Sequence, residues 1–326
     1  MGKLKKKALI TGITGQDGSY LAELLLKKNY KVIGLIKKKN SKNKLKNISH
    51  IKSKIELYTC DLQNYLNIKK KLIKIKPNEI YHLAAESFVS YNFEEESKAL
   101  NINIKTTHNI LSIIKNYLPK TKFYFASSSE MYSKINTSPQ NELTNFKPGS
   151  AYGVSKLAGF QLTRNFRETY GIFACTGILY NHESPRRGIN FVTRKITSSV
   201  AKIKLGKQKK LILGNLSSKR DWGYAPDYVE AIWLMMQSKI PSDYVIGTGK
   251  LHTVKDLLKI AFSHVGLNYK KFVKISKKFY RPTDAIILKA NSKKAHNILG
   301  WKPKTNFKKL IKLMVDADLK NLKYQL

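Results

Sequence analysis

The chain has 326 residues, 42% of them hydrophobic, and 61 Lys and Arg against 21 Asp and Glu give a formal net charge of +40. That length supports a sizeable core, no run of about 18 apolar residues offers a membrane span, and two cysteines, Cys60 and Cys175, supply neither a disulfide framework nor a metal-ligand spacing. The positive excess is nearly all Lys and is spread along the chain among Asn, Ile and Tyr, a usage bias rather than a patch. Nucleic acid and membranes are therefore not the expected partners, and a reducing cytoplasm is the expected location.

In chain order, Lys7 to Thr11 is a short apolar run ending in Thr-Gly. A helical pattern over Ser19 to Asn29 follows, with Leu21, Ala22, Leu24 and Leu25 at three-to-four spacing, and Lys31 to Ile36 reads as a strand. This is the first strand–turn–helix–strand unit of a dinucleotide-binding fold. Lys37 to Lys54 is polar and lysine-rich and reads as a loop. Strands at Ile55 to Thr59, Glu79 to Leu83, Lys122 to Ala126 and Phe173 to Leu179 then alternate with helices at Leu66 to Ile75, Ala99 to Tyr117 and Ala151 to Thr169. The alternation predicts an α/β fold, a doubly wound parallel sheet of Rossmann type over residues 1–180. After Leu179 turn-rich stretches separate helices near Phe191 to Leu205 and Tyr228 to Gln237. Residues 181–326 read as a smaller C-terminal substrate-binding lobe, with some segments returning to the sheet.

Gly12-Ile13-Thr14-Gly15-Gln16-Asp17-Gly18 lies at the first strand-to-helix turn. Glycine lets backbone approach a ligand closely, and the helix N-terminus offers free N–H groups to a pyrophosphate. The strand before and the helix after distinguish this pattern from incidental glycines. After the second strand, where NAD enzymes of this fold commonly carry a carboxylate, the chain has Lys37, Lys38 and Lys39. A cationic loop there suits the extra phosphate of NADP, although these lysines also belong to the general excess. Asp61 and Leu62 follow the third strand, where a carboxylate could accept from an adenine amine. Leu83, Ala84 and Ala85 put small residues after the fourth strand, where backbone must pass near a cofactor.

Tyr152 and Lys156 stand four apart on one helix face. An ammonium and a positive nicotinamide nearby would both favour the phenolate, so the phenol is expected to move towards the working range as a base. The pair opens the helix after the fifth strand, on the side where such sheets keep their ligands. That strand runs out through Ser127, Ser128, Ser129 and Glu130. Oxidation of a hydroxyl needs one base, whereas loss of water also needs a second group to take a carbon-bound proton. Glu130 is the candidate for that group, with capping of the next segment as its alternative role.

At these residues the chain resembles the GDP-mannose 4,6-dehydratase family of extended short-chain dehydrogenases. The resemblance is carried by Thr11 to Ser19, Tyr152 to Lys156, Gly177 to Gly188 (with Asn-His-Glu-Ser-Pro-Arg-Arg), Phe191 to Ile196, Arg220 to Val229, Arg281 to Asp284 and Leu299 to Pro303. It implies conversion of a GDP-sugar, GDP-mannose, to the 4-keto-6-deoxy sugar by internal hydride transfer through tightly held NADP. Tyr152, Lys156, Glu130 and Ser128 would be catalytic. Ser87, His182 and Arg187 would touch the cofactor, and Asn181, Lys195, Arg220 and Arg281 would hold the nucleotide sugar. A homotetramer or homodimer is implied as well. The family usually has Thr at Ser128, Gln at Glu86 and Arg at Lys38 and Lys39; hydroxyl and positive charge are retained at all but Glu86, so activity is expected. The rival readings are a dehydratase of another GDP-sugar such as GDP-manno-heptose, a nucleotide-sugar epimerase or 4-keto reductase, and a non-catalytic nucleic-acid-binding protein.

Overall fold

The computed structural model describes residues 5–37, 42–87, 93–279 and 287–323, with the backbone alone at 42–44. Its first half alternates Lys7–Thr11 (β1), Gln16–Lys27 (α1), Lys31–Ile36 (β2), Glu56–Thr59 (β3), Tyr65–Ile75 (α2), Glu79–His82 (β4), Phe93–Tyr117 (α3), Lys122–Ser128 (β5), Ala151–Tyr170 (α4) and Ala174–Leu179 (β6). The remainder holds His182–Glu183 (β7), Val192–Lys204 (α5), Leu211–Leu213 (β8), Lys219–Asp221 (β9), Gly223–Tyr224 (β10), Ala225–Gln237 (α6), Asp243–Ile246 (β11), Leu251–Thr253 (β12), Val254–His264 (α7), Val273–Ile275 (β13), Lys293–Leu299 (α8) and Phe307–Lys323 (α9).

Seven strands form one parallel sheet in the order β11-β6-β5-β4-β1-β2-β3. Side chains alternate across a strand, so the continuous apolar runs feed two cores. Ala8, Ile10, Tyr81, Tyr124 and Cys175 face α1 and α6, while Leu9, Ile80, Phe123, Phe125 and Ala174 face α2, α3 and α4. β11 returns to the sheet from the second half of the chain and pairs with β6, Asp243 opposite Thr176. A third core joins α5, α7 and α9 around Trp222 and Phe307. Among the described residues no helix is long and apolar enough to cross a membrane.

Three expectations need correction. Residues Lys42–Lys54 are not a loop but successive 3-10 turns, with Ile48 fully buried and Ile51 nearly so. The two isoleucines plug the first core, and the Asn47 amide donates to the Thr14 carbonyl at 3.0 Å, which holds the segment against the glycine turn. Helix α6 starts at Ala225 rather than Tyr228, because Pro226 sits in the first turn, where a missing N–H costs nothing. Helix α1 likewise begins at Gln16, so the glycine turn runs straight into it.

Candidate active site

A cleft of ≈ 1260 Å³ opens at the carboxyl ends of β1, β4, β5 and β6 and extends under α5 and the β8–β9 loop. Ligands of open α/β sheets sit at this end, because the helices that follow the strands begin there.

The glycine turn forms its first wall. Gly12 has φ +73°, and a Cβ on it would stand 2.8 Å from the Ala84 nitrogen. A Cβ on Gly18 would stand 2.3 Å from the Gly12 carbonyl oxygen. The residue before α1 is Gly15, which has no side chain to cap the first-turn N–H groups, leaving them for a ligand. This narrow, uncapped cradle fits a dinucleotide pyrophosphate. Thr14, Gln16 and Asp17 line it, but Ile13 does not: its side chain is fully buried in the first core and meets Gly34 from above. Asp61, Leu62, Leu83, Ala84, Ala85 and Ser87 continue the wall beyond the turn. Lys37 lines the far end, whereas Lys38 and Lys39 lie outside the described residues.

Below this wall the support is polar and fully buried. Thr11 Oγ1 accepts from the Ala84 N–H at 3.1 Å and lies 2.8 Å from His82 Nδ1, and His82 Nε2 meets Thr106 Oγ1 at 3.3 Å. Burial, reinforced by the nearby Lys156, holds His82 down at about 3, so the ring is neutral. Asn103 ties the same loop to α4: its amide oxygen accepts from the Glu86 N–H at 2.9 Å, and its nitrogen donates to the Glu86 carbonyl and to Ser155 Oγ. The Glu86 side chain turns outward, 3.8 Å from Lys98, while its backbone is fixed by Asn103.

The second wall carries the reactive groups. Ser128 ends β5 and its hydroxyl accepts from the Glu130 N–H at 3.2 Å, capping a 3-10 turn over Ser129–Tyr132. The capping role considered for Glu130 thus falls to Ser128. Helix α4 packs so closely on this turn that a Cβ on Gly153 would lie 2.8 Å from the Glu130 carbonyl oxygen. That approach brings Tyr152 beside Ser128 and Glu130. The Ser128 hydroxyl is close enough to the phenol to oppose the rise in its pKa, and the Glu130 carboxylate lies within electrostatic range of it. Lys156 Nζ donates to the Ala126 carbonyl at 2.8 Å and stands 5.7 Å from the centre of the Tyr152 ring.

Burial pushes Tyr152 up to about 12 and pulls Lys156 down to about 8. The expected fall of the phenol towards the working range is therefore not a property of the protein by itself. The Arg187 guanidinium is a cation that opposes the rise at Tyr152.

The third wall comes from β7, the loop after it and α5. His182 Nδ1–H donates to the Tyr180 carbonyl at 2.7 Å, and Nε2 lies 2.8 Å from Asp17 Oδ2. Arg187 Nε approaches Glu183 Oε2 at 3.3 Å, and its guanidinium lies 3.6 Å above the centre of the Phe191 ring. Asn181 lines the same wall. Lys195 Nζ donates to the Ile212 carbonyl at 2.9 Å and stands over Phe279, and Arg220 lines the outer end and donates to the Lys219 carbonyl. Arg281 lies outside the described residues. One cleft thus gathers Ser128, Glu130, Tyr152, Lys156, Asn181, His182, Arg187, Lys195 and Arg220. The sequence reading passed over His82, Asn103, Glu183 and Thr193. Glu183 lies inside the quoted Asn-His-Glu-Ser-Pro-Arg-Arg run and Thr193 inside Phe191 to Ile196, close in sequence to each other and to Arg187, whereas His82 and Asn103 have partners remote in sequence.

The sequence profile of the family described as GDP-mannose 4,6 dehydratase matches residues 9–314. GDP-mannose 4,6 dehydratase 1 of Arabidopsis thaliana is 47% identical, over 97% of this chain and 91% of its own length. The GDP-mannose 4,6 dehydratase of Homo sapiens is 43% identical, over 98% of this chain and 93% of its own. Among solved structures, a dTDP-glucose 4,6-dehydratase from Bacillus anthracis in complex with NAD superposes with a TM-score of 0.84 at 23% identity, covering 98% of each chain. At that identity the last likeness bears on the fold.

Proposed function

The chain belongs to the GDP-mannose 4,6-dehydratase family, and on that premise we propose that it is a hydro-lyase converting GDP-D-mannose to GDP-4-keto-6-deoxy-D-mannose and water. The observation that carries the reading is the placement of Glu130 beside Tyr152, through the close packing of α4 on the turn after β5. An epimerase or 4-keto reductase needs the phenol but no neighbouring carboxylate for a carbon-bound proton.

The cradle of Gly12, Gly15 and Gly18 would hold NADP, which would supply a hydride acceptor for C4 of the sugar and a hydride donor for C6. Tyr152 takes the proton of the O4 hydroxyl, assisted by Ser128, whose hydroxyl polarises the reacting oxygen. Lys156 and Arg187 favour the phenolate as it forms. The 4-keto group then acidifies the C5 proton. Glu130 removes that proton and delivers it to the departing C6 hydroxyl, which leaves as water. Return of the hydride to C6 would be matched by protonation of C5 with the proton that Tyr152 took from O4, so the net change is loss of water alone.

Asn181, Lys195, Arg220 and Arg281 are proposed to hold the nucleotide sugar, and His182 and Arg187 the dinucleotide. NADP is preferred to NAD because Lys37 lines the cleft at the end of β2 and is followed by Lys38 and Lys39, with no carboxylate among them. The same reading carries a cytoplasmic homotetramer or homodimer with no nucleic-acid partner.

Mass spectrometry of purified protein incubated with GDP-mannose and no added cofactor tests the proposal. Loss of one water from the sugar nucleotide is expected. No change after NADP is supplied, with water loss from GDP-manno-heptose instead, would move the substrate to the heptose. No change with either would overturn the reading.

A further inference from the structure

Glu183 is 1% exposed, yet nothing in the proposed chemistry uses it. It sits on β7, next to His182, and its partner across the two-stranded ladder is Tyr224. One carboxylate oxygen, Oε2, accepts from the Thr193 hydroxyl, in the first turn of α5, and lies 3.3 Å from Arg187 Nε. One face of that guanidinium is covered by Phe191, 3.6 Å from Arg187 Cζ to the ring centre. Arg187 is therefore held by charge beside Glu183, with Nε 3.3 Å from Oε2 but not hydrogen-bonded to it, and by Phe191 on one face, while no side-chain hydrogen bond from its guanidinium is made among the described residues. It reaches the cleft within electrostatic range of Asp17 on the glycine turn and of Tyr152.

A buried carboxylate is costly to desolvate unless it is paired, so its retention under a cleft arginine calls for an explanation. A guanidinium carries five donors in a rigid fork; fixing one edge leaves the other edge pre-organised for two oxygens of one anion. We propose that Glu183 is a positioning residue that, together with the Phe191 ring, holds Arg187 with its free edge presented to an anionic oxygen of the bound dinucleotide. The proposal rests on the dinucleotide reading of the cleft. Thr193 makes the arrangement two-armed, because the same carboxylate oxygen also fixes the first turn of α5, whose residues Val192 and Lys195 line the sugar-nucleotide end.

The test is NADPH binding followed by its own fluorescence, with no sugar nucleotide present. Glu183→Gln keeps the shape and an acceptor for Thr193 but removes the charge under Arg187. It should weaken NADPH on the order of 10-fold, and in an Arg187→Met background the same change should weaken it no further. Phe191→Leu, at a half-buried cleft position, should behave in the same way and serves if Glu183→Gln does not fold. An equal loss with and without Arg187 would reduce Glu183 to a structural part and overturn the proposal. Unchanged NADPH affinity in both folded variants would overturn it as well, while leaving GDP-mannose turnover by the unaltered protein to decide the function separately. A wild-type protein that binds no dinucleotide would sink both.

Discussion

Asp17 and His182 meet at 2.8 Å across the floor of the cleft, one from the first turn of α1 and the other from β7. Both imidazole nitrogens are donors, Nδ1–H to the Tyr180 carbonyl and Nε2–H to the carboxylate, so the ring is an imidazolium and the contact an ion pair. Tyr228 stacks on it with ring centres 4.7 Å apart. Burial opposes the charge on both partners, but their mutual attraction and hydrogen bond prevail. His182 is raised above its ordinary 6.5 and Asp17 lowered below its ordinary 3.8.

The pair makes stability depend on pH. Its contribution should be complete between 3.8 and 6.5, fall as pH rises through the raised His182 value, and fall again in acid below 3.8 as Asp17 is protonated. Asp17→Asn should cost about 1.5–3 kcal/mol in urea unfolding within that window and less at alkaline pH. A deficit that stays constant with pH would refute the pairing.

Tyr152→Phe and Glu130→Gln should fail at different steps. The phenylalanine variant should leave the nicotinamide absorbance unchanged on adding GDP-mannose, because no proton acceptor remains for O4. The glutamine variant should still reduce bound cofactor yet release no water. Each should slow turnover roughly 10²–10⁴-fold. Undiminished dehydration by Glu130→Gln would remove the carboxylate from the mechanism.

Lys156 sets an alkaline limit. Burial pulls its ammonium down to about 8, so the positive charge beside Tyr152 is present below that pH and lost above it. The kcat/KM profile, which reports the free enzyme, should fall as pH rises through about 8. Lys156→Met should abolish that limb along with most activity. A profile that keeps the limb without Lys156 would assign it to another group.

Two glycines separate binding from folding. Gly18→Ala places a methyl 2.3 Å from the Gly12 carbonyl oxygen and should weaken NADPH more than about 10-fold as the turn shifts. Gly171, after α4, has φ +65° with nothing within 4 Å of a built Cβ. Gly171→Ala should cost about 1–2 kcal/mol through backbone strain and leave NADPH affinity alone. Calorimetry and fluorescence titration on the two variants distinguish these outcomes, and equal NADPH binding by both would refute the cradle.

What the sequence determined alone is short-range. The strand–helix alternation, the glycine turn, the Tyr152–Lys156 spacing and the Ser128–Glu130 strand end all depend on residues a few positions apart, where helical and extended periods dictate which side chains share a face. Tertiary structure decided what closes over long separations. Ile48 and Ile51 look like incidental apolar residues in a polar stretch until the first core is there to take them. His182 finds Asp17 across 165 positions, and Asn103 joins Glu86 to Ser155, because the segments after β1, β4, β5 and β6 all emerge at the carboxyl end of one parallel sheet. Glu183 and Arg187 are four apart, yet their alignment depends on Phe191 and Thr193 arriving with α5. The ionisation of the site follows the same rule. Adjacency in sequence suggested an acidified phenol, but the burial that raises Tyr152 and lowers Lys156 arises only when the walls of the cleft come together and exclude water.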